Sequence, residues 1–193
     1  MTDTLRSKIV RGLVLPAAAF STLLAATAAA QPSSERCTGA CAEELGETRD
    51  ATQQYHEETA ALADGFVADL VCVALPGVGG MGFHYVNPER ASDASVDSLS
   101  PEVLLYEAEA NGRRRLVGVE YFVPVFSNGV PWFGPGDPPV VDNPPPVLFG
   151  RTFLGPMPGH NPEMPWHYEL HVWAWKHNPS GMFASWNPNV SCD

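Results

Sequence analysis

The stretch His167-Tyr-Glu-Leu-His-Val-Trp-Ala-Trp175 decides the fold class, because it alternates polar and apolar side chains. Alternate residues of a β-strand point to the same face of a sheet. One face of this strand would be an ordinary apolar core surface. The other face combines ionisable and indole side chains, namely His167, Glu169, His171, Trp173 and Trp175. The pattern therefore predicts a strand with one core face and one candidate functional face.

A hairpin is predicted by PEVLLYEAEANGRRRLVGVEYFVP, residues 101–124. The Asn-Gly pair at 111–112 is the strongest short-range hairpin signal, and a two-residue turn there would pair Tyr106 with Val117. Strand alternation then places Glu120 opposite the core face, among valine, tyrosine and phenylalanine neighbours. An acidic residue in such apolar surroundings is unusual for a solvated surface.

The remaining elements predict an α+β fold, with a mainly antiparallel sheet and one N-terminal helix packed on one face. The helix is expected over residues 51–64, with Asp50 as its N-cap and Gly65 at its C-terminal end. A long Pro/Gly-rich loop is expected over 124–165, which holds 12 of the 19 prolines. Because this segment also contains large aromatic residues, we expect an ordered loop over the sheet.

The N-terminus predicts export. Residues 1–30 have a basic start, an apolar stretch and a small-residue end, as in a secretory signal peptide. Residues 31–46 are expected to be an N-terminal segment and 47–193 a single domain. The mature protein would then be secreted or periplasmic, with no stable membrane association after signal cleavage. The net charge of −11 excludes the basic surface that nucleic-acid binding requires.

Four cysteines in an exported chain favour two disulfide bonds, for which three pairings are possible. The favoured pairing joins Cys72 to Cys192, which ties the C-terminus to an early strand, and Cys37 to Cys41. A thiolate metal site is the alternative, but the cysteine spacing matches no standard zinc pattern.

A metal site is the leading functional hypothesis. The candidate ligands are His84, His167, Glu169 and His171, and imidazole and carboxylate ligands suit zinc or copper. Residues two apart on a strand lie about 6.8 Å apart, so Glu169 and His171 can share an ion, with His84 and Glu120 from neighbouring strands. His167 lies about 13.6 Å from His171, which places it either at the rim of the site or behind the residues that contact the ion.

Three other interpretations remain open. Trp173, Trp175 and Glu120 could bind a carbohydrate or apolar ligand in a metal-free, aromatic-lined cleft. Glu120 and Glu169 could be the two carboxylates of a glycoside hydrolase. The histidines could also form a purely structural hydrogen-bond network. The expected partner is thus a small molecule or a metal ion, while His160 and His177, in predicted turns, are assigned no role.

Three segments resemble a group of uncharacterised secreted bacterial proteins. The matching segments are GMGFHYVNP (80–88), residues 101–124 and HYELHVWAWKHNPSGMFASWNPNVSC (167–192). The resemblance implies export and a single domain. It implies no activity and no catalytic residue.

Overall fold

The computed structural model describes residues 37–192, and these belong to one compact unit. The predicted signal peptide, residues 1–30, lies outside the described residues, as does the start of the 31–46 segment. Within the described range, the helices are all too short or too polar to cross a membrane.

The helical part of the chain begins earlier than the sequence pattern predicts, and the single helix expected over 51–64 is wrong because a 3-10 turn interrupts that range. Helix α1 spans Ala40–Thr52, a 3-10 turn follows at Gln53–His56, and helix α2 spans Glu58–Ala63. Asp50 is therefore inside α1, so its assignment as the N-cap is wrong. The predicted end at Gly65 is confirmed, because Gly65 has a positive φ of 86° and its N–H donates to the Leu62 carbonyl.

Ten strands follow, and six of them form one antiparallel sheet with the order β1-β2-β3-β4-β10-β9. The sheet strands are β1 (Val67–Leu75), β2 (Gly79–Val86), β3 (Val103–Ala108), β4 (Arg114–Pro124), β9 (Leu154–Met157) and β10 (His167–Val172). Two small hairpins lie between β4 and β9, formed by β5 (Phe126–Ser127) with β6 (Val130–Pro131) and β7 (Val147–Leu148) with β8 (Arg151–Thr152). The α+β class and the antiparallel sheet are confirmed.

The β3–β4 hairpin differs from the prediction by one residue in its turn. The N–H of Glu109 donates to the Arg113 carbonyl at 2.9 Å, which leaves a three-residue loop that ends at Gly112 with a φ of 80°. This loop pairs Tyr106 with Leu116 rather than with Val117. A β-bulge at Val117 accommodates the extra residue. The pairs beyond it, from Leu105 with Gly118 to Val103 with Glu120, therefore have the predicted register.

Each central strand is buried on both faces. A helix-side core joins Leu45 of α1 and Ala61 of α2 to sheet residues that include Tyr106, Tyr121 and Leu170. A smaller site-side cluster lies on the opposite face and consists of Val103, Leu105, Val117, Phe122, Trp173 and Val190. The candidate functional side chains share this second face.

Two disulfide bonds join Cys37 to Cys41 and Cys72 to Cys192, which confirms the favoured pairing. The second bond fixes the C-terminal segment beside β1, and a backbone bridge joins Gly80 of β2 to Asn187. Val190 of the same segment is buried against the site-side cluster. Disulfide bonds of this kind are consistent with an oxidising compartment.

Candidate metal centre

The sheet register brings the predicted ligands together. His171 of β10 is directly opposite Glu120 of β4, and Glu169 is opposite Phe122. Residues directly opposite in an antiparallel pair have Cβ atoms about 4.5–5.5 Å apart, so their side chains can meet. The side chain of His84, on β2, reaches across β3 to the carboxylate of Glu120.

Glu120 is the centre of a first group of possible ligands, formed with His84 and His171. Its Oε2 atom lies 3.4 Å from His84 Nε2 and 3.6 Å from His171 Nε2. Glu120 and His171 are buried, while the side chain of His84 is 17% exposed. One ligand atom from each residue lies within 4.8 Å of the others, so this group could hold a metal ion.

These separations fit metal coordination better than direct ion pairing. Charge-assisted N–H···O bonds are usually about 2.7–2.9 Å long. A tetrahedral zinc ion with bonds of about 2.0–2.2 Å instead separates neighbouring ligand atoms by about 3.3–3.6 Å. Glu120 Oε2 and both ring nitrogens of His171 are also buried without a hydrogen-bond partner among the described residues. Buried polar atoms without partners are costly, and an ion bound between Glu120 Oε2 and His171 Nε2 would satisfy these two atoms.

The electrostatics of the group favour an ionised carboxylate beside imidazole. Burial alone raises the pKa of Glu120, but the neighbouring His171 and His84 outweigh burial and lower this pKa to about 2. Burial likewise lowers the pKa of His84, and the Glu120 carboxylate more than compensates, so the pKa of His84 is raised above 6.5. Glu120 is therefore anionic over the whole physiological range, as a metal ligand must be.

Glu169 lies on the far side of His171 from Glu120. Its Oε1 atom is 3.6 Å from His171 Nδ1, and its Oε2 atom is 3.6 Å from His167 Nε2. A carboxylate beside the second ring nitrogen of a metal-binding histidine is the usual arrangement that orients the ring. Glu169 also belongs to a second group that could hold a metal ion, with His160 and His167.

A cavity of about 620 Å³ opens onto both groups. His84, Glu120, His160, Glu169 and His171 line it, and the apolar part of its wall includes Met81, Phe122 and Phe133. The segment 124–165, predicted as a long loop, supplies part of this wall through Phe133 and residues 160–165. The volume lies within the range of about 300–1,000 Å³ that is typical of small-molecule sites.

The two tryptophans assigned as ligand-binding residues are not part of this cavity wall. Strand β10 ends at Val172, so the alternation that placed Trp173 and Trp175 on the functional face does not continue. Trp173 is only 2% exposed, stacks on His171 at 6.4 Å and donates from Nε1 to the Ala184 carbonyl. Trp175 packs against the helix-side core and His56. Trp173 is thus buried and Trp175 is only partly buried, and neither contributes to the cavity into which the histidines and glutamates open.

Three features of the site differ from the sequence interpretation. Glu169 belongs to the group of His160 and His167, instead of sharing a group of possible ligands with His171 as the sequence predicts. His167 is completely buried because Glu169 and the stacked ring of Phe122 cover it, which rules out the rim position and leaves the position behind the first group. His160 joins the second group although no local pattern marks it, because the fold of the long loop brings it within 5.4 Å of the His167 ring.

The remaining predicted ligands lie where strand alternation places them. His84, Glu120, Glu169 and His171 all share the site-side face of the sheet.

Comparison with protein-family models, curated proteins and solved structures finds no match for this chain. Its function is therefore inferred from the chemistry of these side chains.

Proposed function

We propose that this protein is an extracytoplasmic metal-binding protein whose ion is held by His84, Glu120 and His171. The observation that supports this proposal is the buried Glu120 Oε2 atom, which lies 3.4 Å and 3.6 Å from two imidazole nitrogens and accepts no hydrogen bond from residues 37–192. Two imidazoles and one carboxylate suit zinc, and copper is the competing ion. Export, inferred from residues 1–30, and the two disulfide bonds support the location.

Three protein ligands are typical of sites that keep a further position for water or a ligand. All three ligands line the cavity, so an ion there could contact a small molecule bound within it. The cavity wall is mostly apolar with acidic groups such as Asp69 and Glu163, which favours a neutral or cationic guest over an anionic one. The proposed role is therefore metal-assisted binding of a small molecule.

A glycoside hydrolase is less well supported by the same carboxylates. That reaction requires a general acid whose pKa is raised so that it carries a proton near neutral pH. The pKa of Glu120 is lowered to about 2 by His171 and His84, although burial opposes this shift. Glu120 is thus suited to ligate a cation, and within a glycosidase pair it could be only the ionised carboxylate and not the proton donor.

Zinc is expected to stabilise the metal-free protein against thermal unfolding. An ion that binds only the folded state at about 100 times its dissociation constant adds about 2.7 kcal/mol to the free energy of unfolding. Calcium is the control, because it prefers six to eight oxygen ligands and this group offers two nitrogens. Thermal melts of chelator-treated protein with zinc, copper or calcium measure the effect. Equal melting temperatures with and without zinc and copper would reject the proposal.

The stabilisation by zinc is expected to increase as the pH rises. Zinc must displace the proton of His84, whose pKa is raised above 6.5 by Glu120 against the opposing effect of burial. At a pH below the pKa of His84, the protonated imidazole and the Glu120 carboxylate attract each other and stabilise the folded, metal-free protein. This stabilisation is lost as the pH rises through the pKa of His84. Zinc affinity should therefore fall up to about tenfold per pH unit below the pKa of His84. Zinc titrations between pH 6 and 8 test this, and a flat profile would contradict it.

A further inference from the structure

We infer that a second metal ion binds beside the first, held by Glu169, His167 and His160. This inference rests on the proposed function, because Glu169 also contacts the first site. One ligand atom from each of the three residues lies within 4.8 Å of the others. Glu169 and His167 lie on β10 and are almost completely buried, whereas His160 is exposed in the segment before that strand.

His167 is oriented as a metal ligand. Its Nδ1 atom lies 3.1 Å from the Pro165 carbonyl, so Nδ1 carries the proton and donates it to that oxygen. In the neutral imidazole, which is the form that binds a metal, Nε2 holds the lone pair, and this atom is buried without a hydrogen-bond partner in residues 37–192. This lone pair faces Glu169 Oε2 at 3.6 Å, a repulsive arrangement that a cation between the two atoms would turn into an attractive one.

Glu169 serves both sites through different oxygen atoms. Oε1 accepts a hydrogen bond from the Ser185 hydroxyl at 3.3 Å and lies beside Nδ1 of His171, a ligand of the first ion. Oε2 faces the second site. The carboxylate therefore lies beside a ligand of one ion and directly ligates the other, which places the two ions side by side along β10.

His160 connects the second site to the long loop. Its ring centre lies 5.4 Å from that of His167, with the two planes at 84°. His160 is exposed, and residues 160–165 form part of the cavity wall. An ion held by His160 and by two residues of β10 would attach this loop to the sheet. Binding of the second ion is thus expected to order the loop over the cavity.

Zinc stoichiometry tests the inference in the full-length mature protein. Calorimetric titration of the metal-free protein should give two equivalents for the wild type and one for the His160→Ala variant, which keeps the first site. The matched control is His177→Ala, because His177 is an exposed histidine outside both groups and should leave two equivalents. Hydrogen exchange at residues 158–165 should slow upon addition of the second equivalent in the wild type and remain unchanged in His160→Ala.

The possible outcomes separate this inference from the proposed function. One equivalent in the wild type that is kept in His160→Ala and lost in His84→Ala would overturn the second site and leave the first intact, and two equivalents in His160→Ala would also overturn the second site. No zinc binding at all would reject both. Two equivalents in the wild type and one in each of His160→Ala and His84→Ala would support both sites, because each variant then removes a different ion.

Discussion

Glu120→Gln is expected to weaken zinc binding at the first site by at least about a hundredfold. Loss of a residue that merely orients a metal ligand already costs about 10–100-fold in affinity, and Glu120 is itself a proposed ligand. Its Oε2 atom is the contact that both His84 and His171 share. Glutamine preserves the shape of the side chain but replaces the anion by a neutral amide, so the ion loses its charge partner.

The measurement is a competitive zinc titration against a chromophoric chelator, with Glu107→Gln as the matched control. Glu107 is also a buried glutamate with two cationic partners, Arg115 and Lys176, but it lies outside both groups of ligands. Glu107→Gln should reduce stability and leave zinc affinity within about twofold. A Glu120→Gln protein that keeps wild-type affinity would show that the carboxylate is only a structural partner of the histidines.

The same substitution should lower the pKa of His84. Burial already lowers this pKa, and Glu120 is the group that raises it above its usual value. Without the carboxylate, the desolvation of the imidazole dominates and the neutral form is favoured. A histidine resonance that titrates at lower pH in Glu120→Gln than in the wild type, measured by NMR without metal, would confirm the contact independently of any ion.

Strand alternation is enough to predict which of the candidate side chains share one face of the sheet. The side chains of one strand keep their faces whatever strand lies beside them, so Glu169 and His171 could be assigned to one face from sequence alone. The same reasoning placed Glu120 on the corresponding face of β4. Their meeting required only that β4 and β10 be neighbours, which the structure shows.

Features that depend on where a strand bends or ends could not be predicted in this way. The bulge at Val117 moves this residue to the site-side cluster and Leu116 to the helix-side core, which reverses the alternation expected from a two-residue turn. Strand β10 ends at Val172, and a backbone bond from Trp173 to the Met182 carbonyl redirects the chain. Trp175 consequently lies on the helix side.

His160 and the start of helix α1 were missed for a related reason. Neither has a local periodic signal, since His160 is in a proline-rich loop and α1 follows a cysteine-containing segment. The Cys37–Cys41 bond lies at the start of the helix, where Gly39 has a φ of 59° and precedes Ala40. Such positions depend on contacts between distant parts of the chain, which residue patterns do not record.

Removal of the Cys72–Cys192 bond is expected to cause the largest loss of stability, about 4–5 kcal/mol in the double Cys→Ala variant. The two cysteines are 120 residues apart, so the bond closes a loop over most of the described chain. Loop-closure entropy in the denatured state predicts about 4.7 kcal/mol for a loop of about 100 residues. The Cys37–Cys41 bond closes a separation of only 4 residues, for which the same relation predicts about 2 kcal/mol.

Urea unfolding of the two double Cys→Ala variants compares these effects directly. If the long-range bond acts through the denatured chain, its removal should also increase the m-value, because the unlinked chain exposes more surface when it unfolds. In the folded protein the disulfide bond adds little to the C-terminal segment, because burial of Val190 and the Gly80–Asn187 bridge hold this segment without the bond. Equal losses of stability in both variants, with unchanged m-values, would show instead that the bond stabilises the folded C-terminal segment against β1.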